Sequence, residues 1–438
     1  MTIKSLAVTL SALTLSVVAL RAETWSLDSC ISYARTHNIN VLARMADIES
    51  GKISYDQARD AFLPTVSGGA NQSFSFGRGL TADNTYANRN TSSFGVNASL
   101  SLPVSTYFGS GQAAVKAAKL SLNGLLRQCE VARDNVELNV LTQYLQVVYS
   151  RELLEVARSQ TQLSQRQLDE RRQLLEAGKI APLDVTQAES QLAQDKLSEV
   201  TANNDLRLAL VNLATLLELN DRQRETFDVA PVDTAAFMLI PSVDEVIDIA
   251  MANNNSILAS ADNVALARQQ ITVAKTSYIP SVGFSAGLGS SYYRLGGGYE
   301  NESFSGQMRH NFSQSLGLSL SVPLFDAFSR RNNVRSARTR HFAAQLSLDN
   351  ARQQLRSSII EAHTQAMNAS ERQIAASAAA SAALSSLYAV DEKYRYGRAT
   401  PTEVEQAKNI YVNAASTAVR AKYEKILRLR ILDFYSRR

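Results

Sequence analysis

Two long, proline-free helical patterns constrain the fold of this chain more than any other feature. They run from about residue 112 to 176 and from about 332 to 395, and alanine, leucine, glutamine, arginine and glutamate dominate both. At 1.5 Å per residue, a helix of some 65 residues is about 95 Å long, far longer than a compact domain requires. The chain therefore has to build an elongated helical structure.

Each long pattern ends in a short turn that has the composition of a helical-hairpin tip. Gly178 and Gly397 stand where a helix ends in a left-handed residue, and a proline follows each at the first position of a new helix. Asp184 and Glu403 occupy the third helical position, and Thr400 with Glu403 predicts a capping box. The sequence therefore predicts helical tips at about 176–184 and about 394–403, each followed by a shorter returning helix.

The tips belong to a repeat that covers the chain after its first 22 residues. The FLP segment that ends at Pro64 recurs as YIP at Pro280, and LPV from Leu102 recurs as VPL from Val322. Each marker recurs about 220 residues further along the chain, as do the tip glycines. We therefore predict a first structural repeat over 23–220, a surface connector without periodicity over 221–241, and a second repeat over 242–438. Each repeat should open with one helix that ends at Pro64 or Pro280.

Period-two alternation predicts two strands in each repeat. Apolar residues such as Leu316, Leu318 and Leu320 alternate with glycine and serine, so each strand has one apolar and one small polar face. Strands of about ten residues cross a bilayer when tilted, and a soluble sandwich would not need so uniformly polar a second face. The predicted strands lie at about 66–76, 94–104, 282–292 and 312–324.

Four strands per chain cannot close a barrel, and open strand edges are not tolerated in lipid. The smallest transmembrane barrels use about eight strands, so several chains have to share one. Three chains would supply twelve strands in contact with outer-membrane lipid. Aromatic residues gather where the strands meet the helices, as in an interfacial girdle; they are Phe62, Tyr107, Phe108, Tyr278, Phe325 and Phe328.

The first 22 residues have the pattern of a secretory signal peptide. Lys4 precedes an apolar run, no acidic residue occurs, and cleavage is expected after Ala22. The formal net charge of +4 falls when the signal is removed, and the remaining basic residues are dispersed along helices. This distribution argues against nucleic acid as a partner. Beyond the signal, we expect no stretch apolar enough for a membrane-spanning helix.

The sequence contains no arrangement of residues that predicts catalysis, a cofactor or a metal site. Cys30 and Cys129 lie far apart without metal-type spacing, so we expect two buried free thiols, with a disulfide as the alternative. The four histidines are scattered, and none pairs with a cysteine or carboxylate at the spacing of metal ligands. No nucleophile, base and oxyanion donor come together. We therefore expect the protein not to be an enzyme.

Taken together, the signal peptide, the duplicated order of helix, strand, strand, long helix and helix, the LPV and VPL segments and the two glycine tips resemble the TolC family of outer-membrane efflux proteins. The resemblance covers essentially the whole chain after the signal. It implies a homotrimer with a twelve-stranded outer-membrane β-barrel and a periplasmic α-helical barrel, with the connector over 221–241 in the equatorial region. It also implies an exit duct for efflux or type I secretion, which accepts cargo from an inner-membrane transporter through a periplasmic membrane-fusion adaptor.

The resemblance also implies roles for residues at the two tips. The positions that match the adaptor-docking tips are Gly178, Lys179, Ile180, Gly397, Arg398 and Ala399. The positions that match the periplasmic gate are Asp184, Tyr394, Arg398 and Glu403. Helix capping alone would also explain the glycines and the two acidic residues.

Capping does not explain Tyr394, whose equivalent in the first repeat is Leu175, so the second tip has gained a hydrogen-bonding group. We therefore expect the second tip to move and Tyr394 and Arg398 to hold it to a neighbouring hairpin. Two residues depart from the family pattern. Lys179 stands where an apolar residue is common, and Gln406 stands where a second acidic residue is expected.

Two other classes of function remain as alternatives. A trimeric coiled-coil surface or scaffold protein without transport activity would use the same long helices, but it would have no reason to keep a polar strand face opposite an apolar one. A periplasmic enzyme would require site chemistry that the sequence does not contain.

Overall fold

The computed structural model describes residues 23–80, 84–88, 90–232, 240–296 and 300–437. The predicted signal peptide at 1–22 lies outside the described residues, as does the part of the predicted connector from 233 to 239. The described chain is mainly helical, with a smaller amount of β-structure. By contact density it divides into two compact units that interleave along the sequence. Along the sequence, segments of one unit alternate with segments of the other.

The elements of the first half of the chain begin with a short strand and end with the return from the first hairpin. Their order is β1 Glu23–Trp25, α1 Leu27–His37, α2 Ile39–Asp60, β2 Thr65–Ser75, β3 Arg78–Leu80, β4 Tyr86–Asn88, β5 Thr91–Leu102, a 3-10 turn Val104–Phe108, α3 Ser110–Glu176 and α4 Pro182–Leu216.

The second half follows a similar order after a short helix and strand. Its elements are α5 Asp221–Thr226, β6 Phe227–Val229, α6 Val243–Asn253, α7 Asn255–Thr276, β7 Ser281–Leu295, α8 Phe304–His310, β8 Ser313–Ser321, α9 Ser329–Arg395 and α10 Pro401–Arg437. The last predicted strand is shorter than expected, because β8 ends at Ser321 rather than near 324.

The opening helix of each repeat is broken, which the periodicity did not predict. Asn38 separates α1 from α2 in an extended conformation, with φ −64° and ψ 133°, and its side-chain Nδ2 donates to the Leu216 carbonyl at 2.9 Å. Asn254 separates α6 from α7 in the same way, and its side chain accepts a hydrogen bond from the Ser256 N–H at 3.0 Å. An asparagine side chain can replace a backbone partner at such a break, and it thereby caps the helix that follows.

One compact unit contains the described residues within 40–132, 243–360 and 435–437, and its main feature is an antiparallel sheet. The strand order is β2-β5-β7-β8. The register pairs Thr65 with Ser101, Leu102 with Phe284 and Ser281 with Ser321. Adjacent strands therefore place their apolar residues on one common face and their glycine and serine residues on the other.

The apolar face of this sheet is exposed within the chain. Leu316 is 80% exposed, Leu318 is 75% and Val66 is 73%. Residues this apolar are rarely left open over a contiguous area unless another molecule or a membrane covers them. The opposite face is lined by small polar side chains, among which Ser67 and Ser99 share a hydrogen bond of 2.8 Å.

Side-chain amides close the free edge of β7 beyond the point where β8 begins. The Gln307 amide accepts from the Tyr293 N–H at 2.9 Å and donates to the Tyr293 carbonyl at 3.0 Å. Asn301 makes the same two contacts with Leu295, at 2.8 and 2.9 Å. Asn311 donates to the Ser291 carbonyl at 2.6 Å. Three amides thus satisfy alternate residues of an edge that would otherwise need another strand.

The other unit contains the described residues within 23–39, 133–242 and 361–434. Here the predicted connector over 221–241 proved to be more than an aperiodic surface segment. It contains α5 and β6, and β6 pairs in parallel with β1. Val229 of β6 is fully buried, and the Tyr144 hydroxyl of α3 donates to the Ala230 carbonyl at 2.7 Å. A three-residue strand whose partner is about 200 residues away leaves no periodic signal, so the sequence could not reveal it.

Both cysteines are free and buried, as predicted. Cys30 lies on α1, and burial raises the pKa of its thiol to about 12. Burial also raises the pKa of Tyr144 to about 12. A thiol that stays protonated in an apolar environment is unreactive, so Cys30 is a packing residue.

Among the described residues, α9 is long and apolar enough, by length and composition alone, to qualify as a membrane-spanning helix. This differs from the sequence expectation. The sequence from 375 to 386 is AASAAASAALSS, in which alanine raises the hydropathy without supplying large apolar side chains. Only 11% of the qualifying window is buried inside the chain.

Candidate functional site: the two helical tips

The backbone of tip 1, defined as residues 176–184, reverses the chain through one left-handed glycine. Gly178 has φ +70°, and the N–H of Lys179 donates to the Leu174 carbonyl at 2.9 Å. The N–H of Gly178 itself donates to the Leu175 carbonyl at 2.9 Å. These two bonds form the helix-ending motif that a left-handed residue permits, and glycine adopts that conformation without the penalty of a Cβ.

Tip 2, defined as residues 394–403, has the same backbone. Gly397 has φ +70°, its N–H donates to the Tyr394 carbonyl at 2.9 Å, and the N–H of Arg398 donates to the Lys393 carbonyl at 2.8 Å. Both glycines therefore have the left-handed conformation that the sequence predicts.

The two tips start their returning helices with different numbers of hydrogen bonds. At tip 1, the Asp184 carboxylate accepts from the Ala181 N–H at 3.1 Å, and alanine offers no side-chain acceptor in return. At tip 2, the Glu403 carboxylate accepts from the Thr400 N–H at 2.6 Å and from the Thr400 hydroxyl at 2.9 Å. The Glu403 N–H donates to the Thr400 hydroxyl oxygen at 3.3 Å, which completes the predicted capping box. The bond from the Thr400 N–H is the main cause that lowers the pKa of Glu403 below 4.5.

An apolar cluster lies directly behind tip 1. Ile180 and Leu175 pack against it, so both side chains are partly buried. Ile180 therefore supports the turn from within, whereas Gly178 and Lys179 are exposed. The buried members of the cluster are Leu168, Val185, Ala188 and Leu192.

Tip 2 carries polar and aromatic groups on its surface. Tyr396 is 76% exposed, Arg398 is exposed, and Tyr394 is half-buried. Within the described part of the chain, the Tyr394 hydroxyl has no hydrogen-bond partner. Ala399 occupies the position that Ile180 has in tip 1, and its methyl group offers much less apolar surface for packing. The groups that tip 2 presents are therefore available to a molecule outside the chain.

A buried polar cluster above the tips escaped sequence reasoning. Lys408 of α10 is 0% exposed, and its Nζ lies 2.8 Å from Asp195 Oδ2 of α4. Lys408 also donates to the hydroxyl of Ser164 on α3, and Ser164 donates to Asp195. Gln160 and Gln191 each donate to the other carboxylate oxygen of Asp195, at 2.8 and 3.0 Å. Lys408 lies four residues after the buried Val404, on the same helix face, so its place in the sequence was a usable signal.

A second polar contact joins α10 to α3 further from the tips. Lys422 Nζ lies 3.0 Å from Glu152 Oε1, and the Tyr423 hydroxyl donates to the same carboxylate. Burial, together with the neighbouring Glu152 carboxylate, raises the pKa of Tyr423. The hydroxyl therefore stays protonated and remains a donor.

A cavity of about 610 Å³ separates parts of α3, α9 and α10 within this unit. Its lining combines charged, amide and aromatic side chains, including Gln160, Arg166, Tyr388, Asp391, Lys408 and Tyr411. The described residues contain no cluster of three or more histidine, cysteine, aspartate or glutamate side chains that could hold a metal ion.

Comparison with known proteins places these features in context. The family model described as outer membrane efflux protein matches residues 30–218 and 246–433. Outer membrane protein TolC of Escherichia coli (strain K12) is 26% identical over 445 residues, covering 97% of this chain and 84% of that protein.

Two solved structures share the fold at lower sequence identity. A membrane protein from Pseudomonas aeruginosa superposes with a TM-score of 0.78 at 18% identity, covering 94% of this chain and 90% of that chain. The outer membrane protein VceC from Vibrio cholerae gives a TM-score of 0.74 at 17% identity, covering 94% and 96%.

Proposed function

Because the chain belongs to the outer membrane efflux protein family, we propose that it is the gated outer-membrane component of a tripartite efflux or type I secretion system. The protein is an outer-membrane exit duct that extends into the periplasm. Its family consists of channels rather than enzymes. The finer proposals concern the assembly, the partners and the residues at the tips.

The four-stranded sheet supports a trimer. β2 and β8 are the edge strands of the sheet, and within the described residues neither pairs with a further strand of the main sheet. Such edges have to be paired in lipid, and the exposed apolar face beside Leu316 and Leu318 fits contact with lipid. Three copies would close a barrel of twelve strands, with the small polar face lining its interior.

The tips support a periplasmic gate and a docking surface. Gly178, Lys179, Gly397 and Arg398 are exposed and can meet an adaptor, whereas Ile180 contributes to docking mainly by holding the turn in shape. Tyr394 and Arg398 supply a hydroxyl and a guanidinium that can bind a neighbouring hairpin. Asp184 and Glu403 cap the returning helices at equivalent positions, and we assign them to the mouth of the duct. An inner-membrane transporter would deliver cargo through the adaptor, and the duct would conduct it passively.

Single-channel recording in planar bilayers tests the gate. We expect the double variant Tyr394→Phe, Arg398→Glu to raise the conductance of the closed channel, because it removes the hydroxyl that would bind a neighbouring hairpin and reverses a charge at the mouth. Lys179→Glu, which reverses a charge on tip 1, is the matched control and should change the conductance much less. Unchanged conductance in the double variant would overturn the assignment of the gate to tip 2.

The assembly has its own test. Outer-membrane fractions should contain trimers that dissociate on heating in detergent. A soluble monomer would instead favour a scaffold protein and would contradict the exit duct.

A further inference from the structure

Lys408 is a buried cation with no part in the proposed contacts of the gate residues. Its side chain is 0% exposed, and that of Asp195 is 3% exposed. Removing a lysine from water is strongly unfavourable unless a carboxylate and further hydrogen bonds compensate its charge. An apolar side chain of similar volume would fill the same space at no such cost, so packing alone does not account for the presence of Lys408.

The contacts of Lys408 join three helices. Its Nζ bonds to Asp195 of α4 at 2.8 Å and to the hydroxyl of Ser164 on α3, and it lies 3.5 Å from Glu405 Oε1 on its own helix. Gln160 of α3 and Gln191 of α4 hold the carboxylate of Asp195 in place. An ion pair with several directional bonds allows only one position of α10 along α3 and α4, whereas an apolar contact would permit sliding.

The first repeat has no counterpart of this anchor. With the tip glycines aligned, Glu189 occupies the position equivalent to Lys408, and Ala414 occupies the position equivalent to Asp195. Glu189 instead forms a surface ion pair with Arg172 at 2.7 Å, in which both side chains are about half exposed. Among the described residues, α10 therefore supplies a buried charge to the contact between the hairpins, and the equivalent position of α4 holds a surface residue.

We propose that Lys408 is a positioning residue that anchors α10 to α3 and α4, and that the mobile part of the gate ends at this residue. The inference rests on the proposed gate at tip 2. About two helical turns separate Pro401, the first residue of α10, from Lys408. Val404 and Ala407 are buried in that stretch, but their apolar contacts, unlike the ion pair, do not fix one position of the helix. Beyond Lys408, the contact of Glu152 with Lys422 and Tyr423 continues to hold α10 against α3.

Hydrogen exchange of the wild-type trimer in lipid nanodiscs tests the anchor without any substitution. Backbone amides from 398 to 407 should exchange faster than those from 409 to 420, by about tenfold or more, because local opening should stop at a buried contact. Uniform exchange along α10, or a change in rate at a residue well away from Lys408, would overturn the proposal.

Two variants test whether the ion pair causes this boundary. Lys408→Met removes the cation, and the double variant Lys408→Met, Asp195→Leu removes both charges and keeps the site filled. Both should raise the exchange of 409–420 by about tenfold, since the contact that limits opening is lost. Lys422→Met, on the same helix but 39% exposed, is the matched control and should leave the boundary near Lys408. A boundary that stays at Lys408 in the double variant, which is the one expected to fold, would contradict the role of the pair.

The closed-channel conductance of the double variant Lys408→Met, Asp195→Leu tests the anchor and the gate assignment separately. If the double variant shifts the exchange boundary and also raises closed-channel conductance, both proposals stand. If the boundary shifts and conductance does not change, the anchor stands and the assignment of the gate to tip 2 fails. If conductance rises and the boundary does not shift, the anchor fails, because Lys408 then acts on the gate by another route.

Discussion

Tip 1 and tip 2 have the same backbone but differ in what lies behind it. Both contain a glycine with φ +70° and the same pair of helix-ending hydrogen bonds. Behind tip 1, Ile180 and Leu175 pack on an apolar cluster, whereas tip 2 has Ala399 and Tyr394 at those positions. The reversal of the chain is therefore a local property, and the rigidity of each tip depends on the packing behind it.

The difference extends along the returning helices. On α4, the residue equivalent to Lys408 is Glu189, which lies on the surface. On α10, Lys408 is buried and ion-paired to the opposite hairpin. Tip 1 is thus supported by apolar packing at its end, and the second hairpin is held by a buried charge at a distance from its end. Val404 and Ala407 are buried behind tip 2 much as Val185 and Ala188 are behind tip 1, so the two hairpins differ in the residue that supports the turn itself and in the buried charge of α10.

Removing the buried carboxylate should have the largest effect. Asp195→Leu leaves Lys408 buried without its counter-charge, and we expect it to lower the free energy of unfolding by about 3–5 kcal/mol. Denaturant unfolding followed by helical circular dichroism measures the loss. Glu189→Gln breaks only the surface pair with Arg172 and should cost about 0.2–1 kcal/mol. Similar losses in the two variants would show that the buried pair contributes no more to stability than the surface pair.

Truncating the apolar cluster behind tip 1 should have the next largest effect. Leu168→Ala should cost about 2–4 kcal/mol, because it removes buried methyl groups and leaves a cavity. Leu387 occupies the equivalent position in the second repeat but borders the cavity of about 610 Å³. Leu387→Ala should therefore cost less, about 2 kcal/mol. Thermal unfolding of the two variants compares them, and an equal or larger loss at Leu387 would contradict the difference in packing.

The two tip glycines should respond equally, because their backbones match. Gly178→Ala and Gly397→Ala should each cost about 1–2 kcal/mol from left-handed strain alone. A Cβ at either position would meet no atom within 4 Å, so no clash adds to the strain. Gly124, in the interior of α3, is the control, and Gly124→Ala should be neutral or stabilising by up to about 1 kcal/mol. Unequal losses at the two tips would show that their surroundings affect the turn itself.

Acid should loosen tip 2 through its capping box, which is the smallest of the four effects. The pKa of Glu403 is lowered from 4.5, chiefly by the hydrogen bond from the Thr400 N–H. The stabilisation is therefore complete above pH 4.5 and is lost as the pH falls through the lower pKa of the folded state. Hydrogen exchange at 400–404, corrected for its intrinsic pH dependence, should rise over that interval.

A matched variant isolates the carboxylate. Glu403→Gln should make exchange at tip 2 independent of pH over the same interval, since the amide does not titrate. A rise that persists in this variant would assign the acid response to another group.

Local patterns predicted much of the fold. The structure has α3 and α9 starting close to the predicted residues, because a proline-free periodic sequence specifies a helix without help from distant contacts. The left-handed glycines and the box of Thr400 and Glu403 were predictable for the same reason. The roles assigned to the tip residues stay predictions, since they depend on neighbouring copies and on partners.

Several of the errors and omissions involve partners that are distant in the sequence. The break at Asn38 is stabilised by the Leu216 carbonyl, and β6 has its partner in β1. Gln307 closes the edge of β7 with a side chain, in a segment that carries no strand pattern. Such contacts leave no periodic trace, because their energy is gained only when the chain has brought the two segments together.

The sequence by itself determined the long helices, the alternating strands and the two chain reversals, because each depends on residues within a few positions of one another. Only the tertiary structure decided which side chains support each tip from behind and which helix is anchored. In the sequence, Lys408 and Asp195 are ordinary charged residues. They become an ion pair that holds α10 in place because the fold buries them where α3, α4 and α10 meet. The physical reason is that a charge interaction becomes strong and directional only where the surrounding chain has excluded water.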